Sequence, residues 1–310
     1  MKQPETSTAH TRELGHELQQ VRKRNGYSGA DMSRMLGWGF PKVSRLESGQ
    51  RSVPPGDVAI YLARARATPE ELEDLVALAS EPHGHQLQFH SPGLPDQLRT
   101  LTLLEAHSVA ITTYSPKVIP ALLQTEPYIR AVLRRCGYTG PDLESGVEAR
   151  LARHSLFNRR SRPLLNFYIH ENVLNAVVGD STVMNEQLVQ LQLASSLPQC
   201  HIHVVPATAE EPGDGPEFSV FQHEGNQPVF HVDAFTASLF LEEDSVIAYY
   251  QEFLRRLTTT ALDRDQSRNW IVNRTGELEQ NTPGDMRQRT EVFTLLTGSA
   301  HSRNGEDPAA

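Results

Sequence analysis

Residues 28–51 read SGADMSRMLGWGFPKVSRLESGQR, and this stretch decides how the N-terminal part of the chain folds. Four of its apolar residues form two pairs, Met32 with Leu36 and Val43 with Leu46. Because the members of each pair are three or four positions apart, each pair predicts a short helix with one apolar face. Gly37 lies between the pairs, where a tight turn between helices favours a small residue. The pattern predicts a helix-turn-helix.

The starts of both short helices carry suitable residues. Ser28 can cap the first helix through its hydroxyl. Pro41 suits the first turn of the second helix, where its missing N–H removes no helical hydrogen bond. The second helix of such a motif can enter the major groove of DNA, whereas the alternative is an ordinary pair of helices in a helical core.

The distribution of charge favours DNA over a plain helical core. The chain has 310 residues and a net charge of −9, but residues 1–66 contain 11 Lys and Arg against 6 Asp and Glu, a net of +5. Residues 67–310 contain 18 basic and 32 acidic residues, a net of −14. A basic segment joined to an acidic body is what phosphate binding at one end would produce.

The same stretch, with Arg22 six residues upstream of Ser28, resembles the helix-turn-helix of XRE-type (lambda-repressor-like) transcription regulators. The run VSRLESGQR at residues 43–51 is the most specific part of the resemblance. The resemblance implies that Arg22 and Glu47 form a buried ion pair that ties the first helix to the recognition helix. Two unrelated surface charges are the alternative.

The resemblance also implies which residues meet DNA. Gly39, Phe40, Pro41 and Arg45 would face the bases. The whole predicted DNA-binding set is Ser28, Gly39, Phe40, Pro41, Lys42, Arg45, Gln50 and Arg51. An aromatic ring can touch a thymine methyl group and an arginine can pair with guanine, whereas Lys42, Gln50 and Arg51 suit phosphate contacts.

Two positions depart from the family pattern. Gly29 stands where the family often has Gln, and Phe40 with Pro41 stand where polar base-reading residues are usual. Phe40 is therefore open to a second interpretation, as a core residue.

The remaining composition sets the broad class. No run approaches 18 apolar residues, so no membrane span is predicted, and the polar N-terminus lacks the apolar core of a signal peptide. Two cysteines, Cys136 and Cys200, do not suggest a disulfide framework, which makes the cytoplasm the expected compartment.

Four segments are predicted along the chain. They are a five-helix DNA-binding domain at 8–80, a linker at 81–96, an α+β regulatory and dimerisation domain at 97–280, and a loosely structured tail at 281–310 with a short helix at Glu291–Leu296. The linker is rich in Pro, Gly and His. Its three histidines could suggest a metal, but no second ligand cluster with matching spacing accompanies them, so a solvated linker is preferred.

The fold class predicted for the whole chain is α+β, an all-α N-terminal domain followed by a mostly antiparallel sheet with helices around it. Strands are predicted at Val109–Tyr114, Leu164–Ile169, His201–Val205, Phe218–Phe221, Val229–Val232 and Ala237–Leu241. Helices are predicted at Gln97–His107, Pro127–Cys136, Leu143–Arg160, Met184–Leu197, Glu242–Ala261 and Arg264–Leu278.

The body also resembles a known family, the C-terminal domain of unknown function carried by actinobacterial XRE-type regulators. The matching stretches are IPALLQT at 119–125 with Tyr128, RLARHSL at 150–156, Glu171–Leu174, Met184–Leu191 and VVP at 204–206. Some members are described as antitoxin-like and are encoded beside a small partner protein. Ala121, His154 and Asp233 depart from the family's usual Gly, Gln and Glu, which leaves a family-wide ligand in doubt.

Catalysis is not predicted. The sequence contains neither G-x-S-x-G nor H-E-x-x-H, and it has no glycine-rich phosphate loop, so no enzyme activity and no cofactor are expected. His201 and His203 fall on one face of a strand and could hold zinc, but Cys200 points the other way, and ordinary strand histidines are preferred.

One polar set in the body could bind a ligand or a partner: Gln124, Tyr128, Arg150, Arg153 and Glu171. A cleft lined by Arg and Gln could hold an anionic small molecule through paired hydrogen bonds. Alternatively, the two arginines pair with Glu148, Glu171 or Asp233 and hold the helices to the sheet, which is the preferred interpretation.

The predicted function is a sequence-specific transcription regulator that binds a pseudo-palindromic double-stranded operator as a homodimer. Its C-terminal domain would dimerise and sense a small molecule or a partner. An antitoxin-like regulator whose C-terminal domain binds a small protein is the alternative, and an enzyme with a DNA-targeting module is a third hypothesis.

Overall fold

The computed structural model describes residues 8–50, 53–80, 85–89, 99–159, 162–208, 216–225, 227–234 and 237–280. The predicted tail at 281–310, with its short helix at Glu291–Leu296, lies outside these ranges. No helix within these ranges combines the length and the apolar character needed to cross a membrane.

The N-terminal part is all helical, as predicted. Its five helices are α1 (Ala9–Arg24), α2 (Gly29–Leu36), α3 (Phe40–Glu47), α4 (Pro55–Ala65) and α5 (Pro69–Ser80). Their apolar faces meet in one core, where Leu18, Met32, Val43, Tyr61 and Leu62 are almost fully buried. The apolar pairs of the helix-turn-helix therefore became the inner faces of α2 and α3.

A seven-stranded sheet follows, in the order β1-β7-β6-β5-β2-β3-β4. Its strands are β1 (His85–Phe89), β2 (Ala110–Ser115), β3 (Leu164–His170), β4 (Cys200–Val205), β5 (Phe218–Gln222), β6 (Val229–Ala234) and β7 (Ala237–Leu241). The β2–β3 and β3–β4 pairs are parallel and the other four pairs are antiparallel. The predicted α+β class with a mostly antiparallel sheet is confirmed.

Helices cover both faces of this sheet. They are α6 (Arg99–His107), α7 (Glu126–Arg135), α8 (Gly140–Arg153), α9 (Glu171–Asn175), α10 (Ser181–Ser195), α11 (Asp244–Thr260) and α12 (Arg264–Gln280). One face packs into the main core with Leu188 of α10 and Ile271 of α12. The other face, with Tyr114 and Phe230, packs against Ile247 and Leu257 of α11.

Three elements differ from the prediction. The segment expected to be a linker contains β1, which pairs with β7 from His85 opposite Leu241 to Phe89 opposite Ala237. Polar and apolar residues alternate in β1 with the period of a strand, and β7 would otherwise present an unpaired edge. In addition, α8 ends at Arg153 and continues as a short 3-10 helix to Asn158, and α9 was not predicted.

The N-terminal helices contact the body through the first half of α1. Ala9 is buried in the main core of the body, and its backbone N–H donates to Glu242 Oε2 at 2.8 Å. Arg12 Nη2 donates to Glu242 Oε1 at 3.1 Å, and Thr100 Oγ1 of α6 donates to Glu13 Oε2 at 2.8 Å. Burial raises the pKa of Glu242, and the Arg12 charge opposes this shift only in part. The contact is therefore a buried, specific interface.

Candidate nucleic-acid interface

The helix-turn-helix begins with a capping box. The backbone N–H of Asp31 donates to Ser28 Oγ at 3.1 Å, and the backbone N–H of Ser28 donates to Asp31 Oδ2 at 2.9 Å. These bonds satisfy backbone donors at the start of α2. The Ser28 hydroxyl, which donates to Asp31 Oδ2 at 2.6 Å, and the Ser28 backbone N–H together lower the pKa of Asp31. Gly37 ends α2 in the left-handed conformation, with φ of 66°. Gly37, the glycine that the sequence pattern placed between the two helices, therefore forms the turn from α2 to α3.

The recognition helix α3 is held from behind by a buried ion pair. Arg22 donates from Nε and Nη2 to the two carboxylate oxygens of Glu47 at 2.8 and 2.6 Å. The Tyr61 hydroxyl also donates to Glu47 Oε1 at 2.7 Å, and Arg22 Nη1 donates to the Tyr27 carbonyl. Hydrogen bonding to Glu47 raises the pKa of Arg22. Because Glu47 of α3 is bonded to Arg22 of α1 and to Tyr61 of α4, these three helices are fixed relative to one another.

A second contact brings the α1 and α3 backbones close together. A Cβ on residue 15 of α1 would lie 2.5 Å from the Leu46 carbonyl oxygen and 2.8 Å from that of Glu47. Only glycine allows this approach. Thr11 Oγ1 donates to the Gly49 carbonyl at 2.8 Å, just beyond the end of α3. The recognition helix is therefore attached to the same helix that contacts the body.

The opposite side of α3 is open to solvent. Gly39, Phe40, Pro41 and Arg45 are all exposed. Arg45 Nε donates to the Pro41 carbonyl at 3.1 Å, which orients the side chain along its own helix. Within the described ranges, no acidic residue pairs with the Arg45 guanidinium. The four residues that the resemblance assigned to the bases thus share one accessible face.

Phe40 is a surface residue and not a core residue. Its side chain is 55% exposed, so the second of the two interpretations is wrong. The ring lies beside the start of α2, where a Cβ on residue 29 would be 3.1 Å from Phe40 Cε2. The two departures from the family pattern, Gly29 and Phe40, are therefore in contact.

The residues expected to contact phosphate are placed differently from one another. Lys42 Nζ lies 2.8 Å from Asp57 Oδ2 and 3.6 Å from the centre of the Trp38 ring, so its charge is already engaged within the domain. Gln50 is exposed just beyond α3, as is Ser28 at the cap of α2. Arg51 lies outside the described residues.

In the body, two of the five candidate ligand-binding residues hold a loop. Gln124 Nε2 donates to the Ile119 carbonyl at 2.7 Å, and the Tyr128 hydroxyl accepts from the Ile119 N–H at 3.2 Å. Both side chains are buried. Glu171 lies elsewhere, where Oε2 accepts the backbone N–H of Ala207 at 2.8 Å. The candidate set does not form one cleft.

The two arginines of that set lie on α8 and behave differently. Arg153 donates to both carboxylate oxygens of Glu105, a residue of α6, at 2.5 to 3.2 Å. Its partner is none of the three acids that the sequence suggested. Arg150 Nη1 is buried and has no hydrogen-bond partner in the described ranges, and burial lowers the pKa of Arg150. Sequence reasoning missed Glu105 because nothing local relates α6 to α8.

The strand histidines have ordinary partners. His203 Nδ1 lies 3.0 Å from the Leu262 carbonyl, with its ring stacked on Tyr168, and His201 Nε2 lies 3.2 Å from the Pro198 carbonyl. Cys200 is buried, and burial raises the pKa of its thiol to about 12. No group of three or more His, Cys, Asp and Glu suited to a metal occurs in the described part of the chain.

Comparisons with known families agree with this geometry. Residues 13–75 match a helix-turn-helix domain, and residues 98–273 match a domain of unknown function, DUF5753. The second match spans more than half of the chain. No curated protein matches the chain. The predicted helix-turn-helix is confirmed, and the N-terminal region is a DNA-binding helix-turn-helix domain.

Proposed function

This chain belongs to the family defined by the domain of unknown function DUF5753, and we propose that it is a sequence-specific DNA-binding transcription regulator. The observation that supports the proposal is the environment of α3. One side of this helix is held by contacts with the neighbouring helices, and the other side is exposed to solvent. Glu47 ties α3 to α1 through Arg22, whereas the side chains of Phe40 and Arg45 are exposed. A rigid helix with one accessible face suits the major groove.

Base reading is assigned to the accessible face of α3. An Arg45 guanidinium that has no acidic partner in the described ranges can donate two hydrogen bonds to guanine O6 and N7. The Phe40 ring can contact a thymine methyl group, and Gly39 and Pro41 let the backbone approach the bases closely. We assign phosphate contacts to Ser28, Lys42, Gln50 and Arg51, with Lys42 exchanging Asp57 for phosphate.

We further propose that the protein is of the XRE type and acts as a homodimer on a pseudo-palindromic operator. The α10–α12 face of the body offers a surface for a protein contact. Leu193 and Val272 are each about half exposed there, and the Gln192–Thr275 hydrogen bond sets the two helices side by side at this point. These two exposed apolar side chains, one on each helix, are the reason for assigning the contact with a second chain to this face.

The antitoxin-like alternative uses the same surface for a different occupant. A small protein encoded nearby would then cover Leu193 and Val272, and the regulator would respond to the amount of that partner. Sedimentation of the purified chain separates the two proposals. A dimer that Leu193→Glu converts to monomers supports the main proposal, whereas a monomer that dimerises only with the neighbouring gene product supports the alternative.

The test of the proposed function is a salt-titrated binding assay with the full-length chain. The DNA upstream of the protein's own gene is compared with random DNA of equal length. We expect selective binding whose affinity falls linearly with the logarithm of salt concentration, as release of counterions from DNA requires. The proposal is wrong if the chain binds this DNA no better than random DNA and genome-wide selection of sites also returns no preferred sequence.

Arg45→Ala tests the assignment of base reading. We expect a loss of about 1–3 kcal/mol at the matched operator and a relaxed preference at one base pair, because a bidentate guanine contact is removed. Arg51→Ala should instead weaken binding to all sequences alike and reduce the salt slope. Arg255→Ala on α11 is the charge-matched control, since Arg255 is exposed on the body and pairs with Glu252. Unchanged binding by both N-terminal variants would show that α3 is not the recognition helix.

A further inference from the structure

A cavity of about 70 Å³, partly open to solvent, lies between the sheet and α6. Residues of β2, β3, β5 and β6 line it from the sheet, and residues of α6 and of the turn at 120–122 line it from the other side. The apolar part of the lining includes Leu101, Ile111 and Phe167. The remaining lining residues are polar, and their bonds indicate what the cavity can hold.

Most of the charged and ring side chains in the lining are already engaged. Arg153 donates to both carboxylate oxygens of Glu105, and both side chains of this ion pair are at most 10% exposed. Asp233 is exposed at the rim, and its Oδ1 accepts from Ser238 Oγ at 2.9 Å. Because the Ser238 hydrogen goes to Asp233, His231 Nε2 donates to Ser238 Oγ at 3.1 Å. An ion pair and a hydrogen-bonded chain thus account for these residues.

Glu217, just before β5, has a single bond. Ser115 Oγ donates to Glu217 Oε1 at 3.1 Å, and within the described ranges no residue donates to Oε2. Burial raises the pKa of Glu217 to about 7. The Asp233 charge adds to this rise, whereas the Ser115 hydrogen bond and the charges of Arg150 and Arg153 oppose it. At pH 6 the Glu217 carboxyl is therefore mostly protonated, and it offers one donor and one acceptor without a charge.

A pair of hydroxyl groups lies on the same face of the sheet. Thr113 Oγ1 and Ser219 Oγ are 2.9 Å apart, because the register sets Thr113 of β2 opposite Ser219 of β5. Ser219 is two positions after Glu217, so their side chains point to the same face. The bond between the two hydroxyl groups uses one hydrogen, and within the described part of the chain the other hydrogen has no acceptor. The polar floor can therefore both donate to a ligand and accept from it.

The size of the cavity limits the ligand. A buried water needs roughly 10–15 Å³ of such space, so the cavity has room for about five waters or a ligand part of about five heavy atoms. Leu101, Ile111 and Phe167 provide an apolar wall for part of this volume. A suitable ligand is therefore small, with a polar end and an apolar end.

We infer that this cavity binds a small alcohol, whose hydroxyl group bonds to Glu217 beside the Thr113–Ser219 pair and whose alkyl part contacts the apolar wall. A hydroxyl group both donates and accepts, which matches the unused hydrogens and acceptors of the floor. Binding does not depend on what the protein regulates, but a role for the alcohol as an effector rests on the proposed function.

The cavity is connected to the DNA-binding helices through α6. Leu101 and Glu105 of α6 line the cavity, and Thr100 of the same helix donates to Glu13 of α1. Helix α1 in turn carries Arg22, which holds the recognition helix. An alcohol under α6 therefore acts on the helix that positions α3, provided that it binds the free and DNA-bound states unequally.

The experiment is a titration of the full-length chain at pH 6, followed by saturation-transfer NMR of the ligand. The ligands are butan-1-ol, its isomer 1-methoxypropane, butylammonium and butyrate. The ether has the same atoms as the alcohol and accepts a hydrogen bond, but it cannot donate one. We expect butan-1-ol to bind about tenfold more tightly than 1-methoxypropane, the ratio that one hydrogen bond supplies, and neither ion to show saturable binding.

Two substitutions of Glu217 separate hydrogen bonding from charge. Glu217→Gln keeps a donor and an acceptor, so its affinity for butan-1-ol should stay within about threefold of the wild type. Glu217→Leu has neither, and its affinity should fall about tenfold. Glu186→Leu is the matched control, because it alters an exposed acid on α10 and should bind like the wild type.

Four results would each overturn the inference. They are equal binding of the alcohol and the ether, tighter binding of either ion, an equal loss in Glu217→Gln and Glu217→Leu, and no saturable binding of any ligand. The comparison of alcohol with ether uses only the wild type, so it decides the matter even if a variant fails to fold. Operator binding is measured on the same samples. Intact operator binding without alcohol binding rejects only this inference, whereas alcohol binding without operator selectivity rejects only the proposed function.

Discussion

At the scale of single residues, the two departures from the helix-turn-helix pattern explain each other. The Phe40 ring packs close to residue 29, where a Cβ would lie 3.1 Å from the ring. Any side chain at residue 29 would therefore crowd the Phe40 ring, whereas glycine does not. The contact leaves the ring at the edge of the accessible face instead of in the core. A Gly29 to Gln change would displace Phe40, so the base-facing surface depends on both residues.

Arg22→Met is the prediction at this scale. It removes one partner of a buried ion pair and leaves the Glu47 carboxylate with only the Tyr61 hydroxyl and no cation. We expect the free energy of unfolding to fall by about 3–5 kcal/mol, measured by urea denaturation and far-UV circular dichroism. Arg24→Met is the matched control, because Arg24 pairs with Glu71 on the surface and should cost far less. An equal loss in both variants would mean that burial of the Arg22–Glu47 pair contributes nothing.

At the scale of elements, α1 carries two separate contacts. Its first turns meet the body through Ala9, Arg12 and Glu13, and its middle meets α3 through Gly15. The second contact is between backbones, so it cannot adjust by a change of side-chain rotamer. The position of α3 is therefore set by α1 more directly than by the turn that precedes it.

Gly15→Ala tests the backbone contact. The added methyl group would meet the carbonyl oxygens of Leu46 and Glu47, so α1 and α3 must separate. We expect a loss of about 1–3 kcal/mol in the free energy of unfolding, together with weaker operator binding. Gly276→Ala in α12 is the control, because open space surrounds that position and alanine favours a helix. If Gly15→Ala also stabilised the protein, the close approach of α1 and α3 would be refuted.

Most of these elements could be predicted from local patterns, and the exceptions have physical causes. Apolar periodicity identified the five N-terminal helices and six of the seven strands. The strand β1 was missed because the Pro, Gly and His around it resemble a linker, and its partner β7 is about 150 residues away. Residues that act through long-range pairing leave no signal in a local sequence pattern.

At the scale of the whole molecule, a basic end and an acidic body are joined by a buried ion pair. Arg12 and Glu242 are both largely buried, and burial lowers the pKa of Arg12 while raising that of Glu242. The cost of burying both charges is offset only while they face each other. The relative placement of the two parts is therefore specified by chemistry and not only by the segment that links them.

Glu242→Ala should loosen this arrangement. The change leaves Arg12 buried without its acidic partner and removes the acceptor of the Ala9 N–H. We expect differential scanning calorimetry to show two unfolding transitions, with the N-terminal helices melting first, where the wild type shows one. Glu243→Ala is the control at the adjacent position. A single transition at the wild-type temperature in Glu242→Ala would show that the interface does not couple the two parts.

The double attachment of α1 also limits how such proteins can be recombined. A fragment that ends near residue 82 would expose Ala9 and leave Arg12 and Glu13 without their partners in the body. A chimaera that joined these helices to a different body would inherit the same defect unless the new body supplied an acid and a hydroxyl at matching positions. The first helix is therefore an adaptor, and exchange between relatives should succeed only when α1 and its receiving surface are transferred together.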